Sequence, residues 1–319
     1  MTSFGLVLPI QARGTTLGEL IRELEDEVLA AEAAGFSAVY LPEFHQAHGG
    51  ALVSPLLVLA RLSARTTTIK LGTLVAPAPL YDPVRLAEDA LMLWHATDGR
   101  VILGLGSGHV DFELFGRDRG RRQALFDECL DVLDACFAGE PVSVHGRRGQ
   151  VTAGPASIPV WIGAHGRRGI ARAAARADGW VSDPQRGIET VASLASMYRS
   201  RGGTGTVALF RDGWIGDVAG WAPHALKVHR LYFNVGTYLR EFEPWVDEIR
   251  SREDFTFERL APGRFLCGSS GSELRETVAE WVALTGAGHI AIRMRQPTGP
   301  GHAETMAAIS RFGAEVIAS

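Results

Sequence analysis

The sequence lacks the motifs that identify several large enzyme classes. It contains no Gly-x-Ser-x-Gly elbow, so a serine hydrolase of the α/β type has no nucleophile in its usual setting. It has no Gly-Lys-Ser/Thr phosphate loop. Its ten histidines show neither His-Glu-x-x-His nor any other zinc spacing. These absences disfavour serine hydrolysis, nucleoside triphosphate chemistry and a bound metal.

The sequence also has few cysteines, little clustered basic charge and no long apolar run. The three cysteines, Cys129, Cys136 and Cys267, cannot all pair and have no metal-binding spacing, which is typical of a reducing compartment. The formal net charge of −4 includes no basic stripe, so nucleic acid is not an expected partner. No apolar run approaches the roughly 18 residues of a membrane span, and no secretory leader is visible. We expect a cytoplasmic protein with no membrane partner.

The sequence is rich instead in apolar segments that alternate with amphipathic helical segments. Strands are predicted over 4–9, 37–42, 68–77, 100–106, 158–164, 179–183, 206–216 and 289–294. Helices are predicted over 18–34, 54–66, 82–97, 119–138, 166–177, 187–201, 271–285 and 302–317. Strands separated by helices pair in parallel, and eight such units in 319 residues favour a single (β/α)8 barrel domain. An open, doubly wound sheet is the alternative, because strand closure is not visible in a sequence.

Ionisable side chains follow two of the predicted strands. Glu43 and His45 come directly after the second strand, and His109 comes after the fourth. The C-terminal ends of the strands form the functional face of a (β/α)8 barrel, so these groups are expected on one face. A histidine there serves as an acid or base near neutral pH, or is a structural partner for Glu43. We take Glu43, His45 and His109 as candidate catalytic residues.

Two glycine-rich turns are candidate phosphate sites. The first, Gly104-Leu-Gly106-Ser-Gly108, approaches the dinucleotide fingerprint, but His109 stands where the third glycine belongs, which disfavours a dinucleotide. A plain tight turn is the alternative there. The second turn, 163–167, opens a predicted helix, whose first backbone N–H groups and dipole favour an anion. The second turn is the better phosphate candidate.

The alternation breaks after the seventh strand. Residues 216–262 form a long insertion that is crowded with aromatic side chains. Long insertions at strand ends commonly cover a site, so the insertion is either a lid or a pair of surface helices packed on the barrel. Phe44, Trp214, Tyr232 and Phe233 are candidate substrate contacts. They indicate an apolar or aromatic substrate.

Five segments of the chain follow one another in a recognisable order. They are GFSAVYLPEFHQ (35–46), Ser54-Pro55, the block from IKLGT to GSG (69–108), DFELFG (111–116) and the block from PVWIGA to GWVSD (159–183). Together they resemble the bacterial luciferase-like flavin monooxygenase family over nearly the whole chain. The resemblance implies a (β/α)8 barrel oxidoreductase that uses reduced FMN and O2 to oxidise a small organic substrate. It also implies a separate NAD(P)H-dependent flavin reductase, and a homodimer formed through helices near the second and third units.

The resemblance places the cofactor against the ends of the third, fourth and fifth strands. The positions it assigns to cofactor binding are Thr73, Leu74, Val75, Gly106, Ser107, Gly108, Gly163, Ala164, His165, Gly166 and Arg167. The family often has a non-proline cis peptide bond after the third strand. In this chain that bond is expected near Leu74-Val75.

Three departures from the family pattern concern the cofactor and the chemistry. Ser107 and Gln123 stand where flavin-dependent members often carry arginines that hold the FMN phosphate, although arginines are adjacent at 121–122. Phe44 replaces the first histidine of the Glu-His-His motif, and His45 matches the second. The loss of two charged contacts, at about 1.5–3 kcal/mol each, would weaken FMN binding unless other groups replace them.

Two alternative functions follow from these departures. The glycine turns also resemble the deazaflavin branch, whose members transfer a hydride with coenzyme F420, although that branch often has Glu where this chain has His109. The second alternative is a barrel that has lost catalysis and acts as a dimer partner or binding protein.

Overall fold

The computed structural model describes residues 2–45, 51–144, 146–234 and 255–318, without the side chains of 231–234. Tyr232 and Phe233, two of the candidate substrate contacts, therefore lie outside the described side chains. Much of the insertion 216–262 also lies outside the described residues, so its role as a lid stays a prediction.

Parallel strands form the centre of the molecule. The strands are Ser3–Val7 (β1), Ala38–Leu41 (β2), Lys70–Thr73 (β3), Ala76–Pro77 (β4), Val101–Gly106 (β5), Val142–Val144 (β6), Arg147–Gly149 (β7), Val160–Gly163 (β8), Gly179–Val181 (β9), Thr206–Ile215 (β10), Phe265–Gly268 (β11) and His289–Arg293 (β12). Every predicted strand is present, with ends that differ by a few residues.

The sheet closes into a barrel. Its strands follow the order β1, β2, β3, β5, β8, β9, β10, β12, and each pairs in parallel with the next. The pairs β9–β10, β10–β12 and β12–β1 complete the circle. The (β/α)8 barrel is thus confirmed, and the open sheet is excluded.

Helices follow the strands and cover the outside of the barrel. They are Leu17–Ala33 (α1), Pro55–Ser63 (α2), Pro83–Ala96 (α3), Arg122–Ala138 (α4), Arg167–Arg176 (α5), Ile188–Ser200 (α6), Val218–Asn234 (α7), Phe257–Arg264 (α8), Gly271–Thr285 (α9) and His302–Phe312 (α10). In the described residues no helix is long and apolar enough to cross a membrane.

Local sequence signals explain where several helices begin. Thr16 and Glu19 form a reciprocal capping box at the start of α1, which satisfies backbone N–H groups that have no partner inside the helix. Asp82 accepts from the backbone N–H groups of Val84 and Arg85 at the start of α3. Pro83 fits the first helical position there because its missing N–H would have had no helical partner.

Two short pieces of sheet were not expected from the sequence. The strands β6 and β7 form an antiparallel hairpin within 139–157, which reads as a turn-rich stretch. The strand β11 pairs with the last four residues of β10, from Asp212 to Ile215. The C-terminal helix also differs from the prediction, because α10 passes into a π-helical turn at Gly313–Ile317.

The interior of the barrel is filled with side chains, so the barrel is not a channel. At its N-terminal end Nε2 of His289 lies 3.1 Å from the hydroxyl of Tyr40, and Nδ1 lies 2.8 Å from Oγ of Ser3. Trp161 packs edge-on against His289. This packed layer closes the N-terminal end of the barrel. The C-terminal ends of the strands are here called the barrel mouth.

Candidate functional site

The acidic and histidine candidates after β2 form one hydrogen-bonded unit. Nε2 of His45 lies 2.7 Å from Oε1 of Glu43, and the hydroxyl of Tyr81 donates to Oε2 at 2.5 Å. The backbone N–H of His45 donates to Oδ2 of Asp111 at 3.3 Å. The imidazole also packs against Phe115, with ring centroids 4.6 Å apart. Tyr81 and Asp111 thereby fix the pair that the sequence singles out.

Burial sets the protonation chemistry of this unit. Glu43 is buried, and desolvation raises the pKa of its carboxyl, while the hydrogen bond from Tyr81 and the neighbouring His45 oppose that rise. Desolvation and the adjacent Glu43 also raise the pKa of the Tyr81 hydroxyl, which keeps it a donor. A carboxyl with a raised pKa can hold or release a proton closer to neutral pH. The unit is therefore suited to proton transfer at the mouth.

The segment after β3 builds the floor of the mouth. The peptide bond Leu74-Val75 is cis, as expected from the resemblance. The hydroxyl of Thr73 donates to the carbonyl of Gly104 at 2.6 Å and joins β3 to β5. A Cβ on Gly106 would lie 2.7 Å from Cγ2 of Val75, so glycine is needed there to make room for the valine. Packing alone thus explains Gly106, whether or not a ligand approaches it.

Two histidines from separate glycine turns lie face to face at the ends of β5 and β8. The rings of His109 and His165 stack with centroids 5.7 Å apart and an interplanar angle of 21°. Gly108 precedes His109 with φ of +66°, a conformation that favours glycine. Ser107 is partly buried in the same turn. The two phosphate candidates from the sequence therefore lie side by side, in a region here called the recess.

The recess is electropositive. Burial lowers the pKa of His165 well below its usual value, and the neighbouring His109, Arg186 and Arg122 lower it further. Arg186 is buried, and it follows β9 in the loop before α6. No side chain caps the N-terminus of α5, which begins directly after His165 and Gly166. Cationic groups and an uncapped helix N-terminus are the features that favour a phosphate.

The position that lacks the family's second arginine is engaged in a helix contact. Oε1 of Gln123 accepts from Nη1 of Arg172 at 2.8 Å, and Arg172 also pairs with Asp127 at 2.5 Å. This contact joins α4 to α5 on the outside of the barrel. Arg167, the candidate phosphate ligand of the 163–167 turn, is exposed at the start of α5. Its assignment to the cofactor stays a prediction.

A second buried polar cluster occupies the opposite wall of the mouth. Asp212 of β10 is fully buried, and Arg293 of β12 binds it through Nε at 2.7 Å and Nη2 at 3.1 Å. His229 of α7 and Gln296 complete the cluster, at 2.8 Å and 2.6 Å from the carboxylate oxygens. These partners hold the pKa of Asp212 far below its usual value, against the effect of burial. The cluster ties the first helix of the insertion to the barrel.

The remaining substrate candidates differ in exposure. Phe44 is partly buried beside His45. Trp214 is 7% exposed and stacks on Trp221 of α7 with centroids 6.5 Å apart. Its ring therefore packs against the insertion helix, and its contact with a substrate stays a prediction.

The sequence analysis did not single out four groups of the mouth as site residues: Tyr81, Asp111, Arg186 and Asp212. Asp111 carried a signal, because it opens the family segment 111–116, but its bond to His45 spans 66 residues. Tyr81 lies 38 residues from Glu43, and Gln296 lies 84 residues from Asp212. Spacing along the chain shows no such pairings.

The mouth combines proton-transfer groups, a cationic recess and a helix N-terminus. Among the described side chains no group of three His, Cys, Asp or Glu is placed to hold a metal ion. The arginines near His165 and the N-terminus of α5 are features that favour an anion. Residues 2–206 match the model of the luciferase-like monooxygenase family. The chain therefore belongs to that family.

One of the curated relatives is a monooxygenase. Over 147 residues the chain is 36% identical to the 4-hydroxyprotoasukamycin monooxygenase of Streptomyces nodosus subsp. asukaensis, a match that covers 44% of this chain and 39% of that protein. The match spans 56% of the length of the first curated relative and 39% of the length of the second, so a large part of each lies outside it.

Solved structures of similar fold cover nearly the whole chain. The oxygenating constituent of 3,6-diketocamphane monooxygenase from Pseudomonas putida, in complex with FMN, superposes with a TM-score of 0.78 at 15% identity, over 99% of this chain and 98% of that one. An F420-dependent secondary alcohol dehydrogenase in complex with an F420-acetone adduct gives 0.73 at 16% identity, over 99% and 98%. At these identities the likeness concerns the fold.

Proposed function

We propose that the protein is a flavin-dependent monooxygenase that uses reduced FMN and O2 to oxidise a small, apolar or aromatic organic substrate. The observation that carries the proposal is the cationic recess around His109 and His165, beside the floor made by Leu74-Val75. A phosphate tail and a flat ring system are the parts of FMN that such neighbouring surfaces accommodate. Family membership and the FMN-bound structural neighbour support the same choice.

The residues present fit FMN by the chemistry of their donors. The first N–H groups of α5, with Arg186, Arg122 and His165 nearby, would hold the phosphate. Val75 would support one face of the ring. Gly104 and Gly106 of β5 and Gly163 of β8 lie against its side chain, and their lack of a Cβ makes room for it. Bound reduced flavin would supply the redox chemistry with O2, and the protein would supply placement and exclusion of water.

Glu43 and His45 are the proton-transfer groups of this proposal. His45 is partly exposed with a side-chain accessibility of 12%, whereas that of Glu43 is 1%. The imidazole therefore meets the substrate side, and Glu43 orients it through the 2.7 Å contact. His45 would take or give the proton, and Tyr81 would hold the far oxygen of Glu43 in place.

Two partners belong to the proposal. A separate NAD(P)H-dependent reductase would supply the reduced flavin. The second partner is another copy of this chain: Leu57 of α2 and Met92 of α3 are 73% and 59% exposed, and α2 packs against α3. Exposed apolar side chains on adjacent helices are typical of an interface. These helices belong to the second and third units of the barrel, as a homodimer of the family type requires.

A deazaflavin-dependent oxidoreductase is the second candidate function. The F420-dependent structural neighbour supports it, and so do Ser107 and Gln123, which replace the arginines expected for FMN. It requires His109 to act where the deazaflavin branch often has Glu. A non-catalytic barrel is the third candidate, and it requires the hydrogen-bonded Glu43–His45 unit to be structural only.

Cofactor binding and oxygen dependence separate these candidates. The protein is titrated with FMN and with F420 and followed by fluorescence, and then assayed with a panel of aromatic and alicyclic substrates. Binding of FMN, together with an oxygenated product that forms only when the protein, reduced FMN, O2 and the substrate are all present, supports the monooxygenase. Turnover with reduced F420 in the absence of O2, and none with reduced FMN, supports the deazaflavin enzyme. No binding of either cofactor at millimolar concentration supports the non-catalytic barrel.

A further inference from the structure

The loop between β9 and α6 lies at the barrel mouth, beside the recess. The parallel pairing places Gly163 of β8 opposite Val181 of β9. The backbone N–H of Ala164 donates to the carbonyl of Val181 at 3.3 Å, and Nε1 of Trp180 donates to the carbonyl of Ala164 at 2.8 Å. Residues that follow the two strands, 164–166 and 182–186, are therefore neighbours. Arg186 is the last residue of the segment 182–186.

Two other buried arginines hold this loop by its backbone. Nη1 of Arg211 donates to the carbonyl of Asp183 at 3.1 Å. Nε of Arg264 donates to the carbonyl of Gln185 at 2.8 Å. Their relative exposures are 0% and 2%, so both charges are removed from water in order to make these contacts. Burial of an arginine costs free energy unless its charge is paired and its N–H groups are hydrogen-bonded.

The loop also has an internal brace. The backbone N–H of Gln185 donates to Oδ1 of Asp183 at 2.8 Å, and that of Arg186 donates to the carbonyl of Asp183 at 3.4 Å. The guanidinium of Arg211 lies over the ring of Trp281 in α9, 5.5 Å from its centroid. Contacts from β10, α8 and α9 thus fix a short loop that bears one buried cation.

We propose that Arg186 binds the phosphate of the cofactor in place of the arginines missing at Ser107 and Gln123, and that Arg211 and Arg264 are positioning residues for it. This inference rests on the proposed function, because it takes a phosphate-tailed cofactor as the ligand. It assigns a role to three buried arginines: Arg186 in this loop, and Arg211 and Arg264, which bind its backbone. It also gives His165 a role as a neutral donor beside the same phosphate.

The test compares FMN with riboflavin, which has the same ring system without the phosphate. Binding of both is measured by fluorescence quenching for the wild type and for Arg186→Gln, Arg186→Lys and Arg211→Lys. We expect Arg186→Gln to weaken FMN by roughly tenfold to a hundredfold, as for a lost charged hydrogen bond, with riboflavin changed less than about twofold. Arg186→Lys is expected to restore part of the loss.

Arg211→Lys tests the positioning role, because lysine keeps the charge but lacks the guanidinium geometry that reaches the Asp183 carbonyl. It is expected to weaken FMN by a smaller factor than Arg186→Gln, again without affecting riboflavin. Arg201→Gln, at an exposed site at the end of α6, is the matched control and is expected to bind both ligands as the wild type does. Thermal unfolding of each variant identifies any that fail to fold.

The outcomes separate the inference from the proposed function. If Arg186→Gln weakens FMN and riboflavin equally, or weakens neither, the inference is wrong while FMN binding by the wild type stands. If the wild type binds neither ligand, the FMN proposal itself fails. In that case the same comparison between F420 and its phosphate-free deazaflavin core applies to Arg186. A loss confined to F420 would then support the inference, and an equal loss would overturn it.

Discussion

Nε2 of His45 lies 2.7 Å from Oε1 of Glu43, a carboxylate that is almost completely buried. A buried carboxylate needs donors to remain charged, and Glu43 has them from His45 on one oxygen and Tyr81 on the other. The histidine is thereby fixed at the edge of the mouth with one ring nitrogen committed. In the proposed mechanism its other ring nitrogen, Nδ1, exchanges the proton.

Tyr81→Phe is expected to raise the pKa of Glu43 further. The hydrogen bond from the Tyr81 hydroxyl lowers that pKa at present, against the desolvation that raises it, and phenylalanine removes the donor without removing the ring. The measurement is a pH titration of the Glu43 carboxyl carbon by NMR in protein labelled at glutamate. With an active substrate, the acid limb of the kcat/KM profile is expected to move to higher pH. An unchanged carboxyl titration would show that the 2.5 Å contact contributes nothing to ionisation.

Gly106→Ala is expected to destabilise the protein and to weaken flavin binding. The new Cβ would lie 2.7 Å from Cγ2 of Val75, and overpacking of this kind costs about 1–3 kcal/mol of unfolding free energy. Gly149→Ala is the control, because a Cβ there meets nothing within 4 Å. Denaturant unfolding compares the free energy of unfolding of each variant with that of the wild type, and fluorescence titration with FMN compares their flavin binding.

Combining Gly106→Ala with Val75→Ala tests the cause of the destabilisation. If the clash with Val75 is responsible, the double variant recovers part of the stability that Gly106→Ala loses. Double-variant stability equal to the sum of the two single losses would contradict the packing explanation.

The barrel and its mouth were predictable to different degrees. Alternating strand and helix patterns are local, since each follows from the period of apolar residues in one segment, and they gave the eight barrel strands with their helices. The hairpin β6–β7 was not predicted, because each of its strands has only three residues and lies in a glycine-rich stretch. The contacts of Asp212 were not predictable, because its partners His229, Arg293 and Gln296 come together only when the barrel closes.

The Glu43–His45 contact was partly predictable from the sequence. The two residues are neighbours in sequence at a strand end, so their pairing is visible as a possibility before the fold is known. The resemblance to the family pointed to the position of the cis bond at Leu74-Val75. Arg186 had no such signal, because a lone arginine in a loop is most often solvated, and only the pairing of β8 with β9 brings it to the recess.

Acid is expected to destabilise the barrel through His289. Burial lowers the pKa of this histidine to about 3 from an ordinary value of 6.5, so the folded protein keeps it neutral where the unfolded chain protonates it. The unfolded state therefore binds more protons as the pH falls from 6.5 towards 3, and stability present above pH 6.5 is lost across that window. The full loss is on the order of 5 kcal/mol.

His289→Gln isolates this effect, because glutamine does not titrate and can still bond to Tyr40 or Ser3. Unfolding free energies of the wild type and the variant are measured between pH 7 and pH 4. The wild type is expected to lose stability more steeply than the variant over this range, whatever their difference at pH 7. Parallel curves would show that His289 is protonated as easily in the folded barrel as in the unfolded chain.

The double variant Leu57→Glu with Met92→Glu is expected to be a monomer if α2 and α3 form the proposed interface. Both side chains are largely exposed and apolar, and burying a charge against its copy across a two-fold axis is strongly unfavourable. Because neither side chain belongs to the core, folding stability is expected to change little. Sedimentation equilibrium compares the variant with the wild type, which is expected to sediment with the mass of two chains. A wild type with the mass of one chain, or a variant that stays dimeric, would place the contact surface elsewhere or remove it.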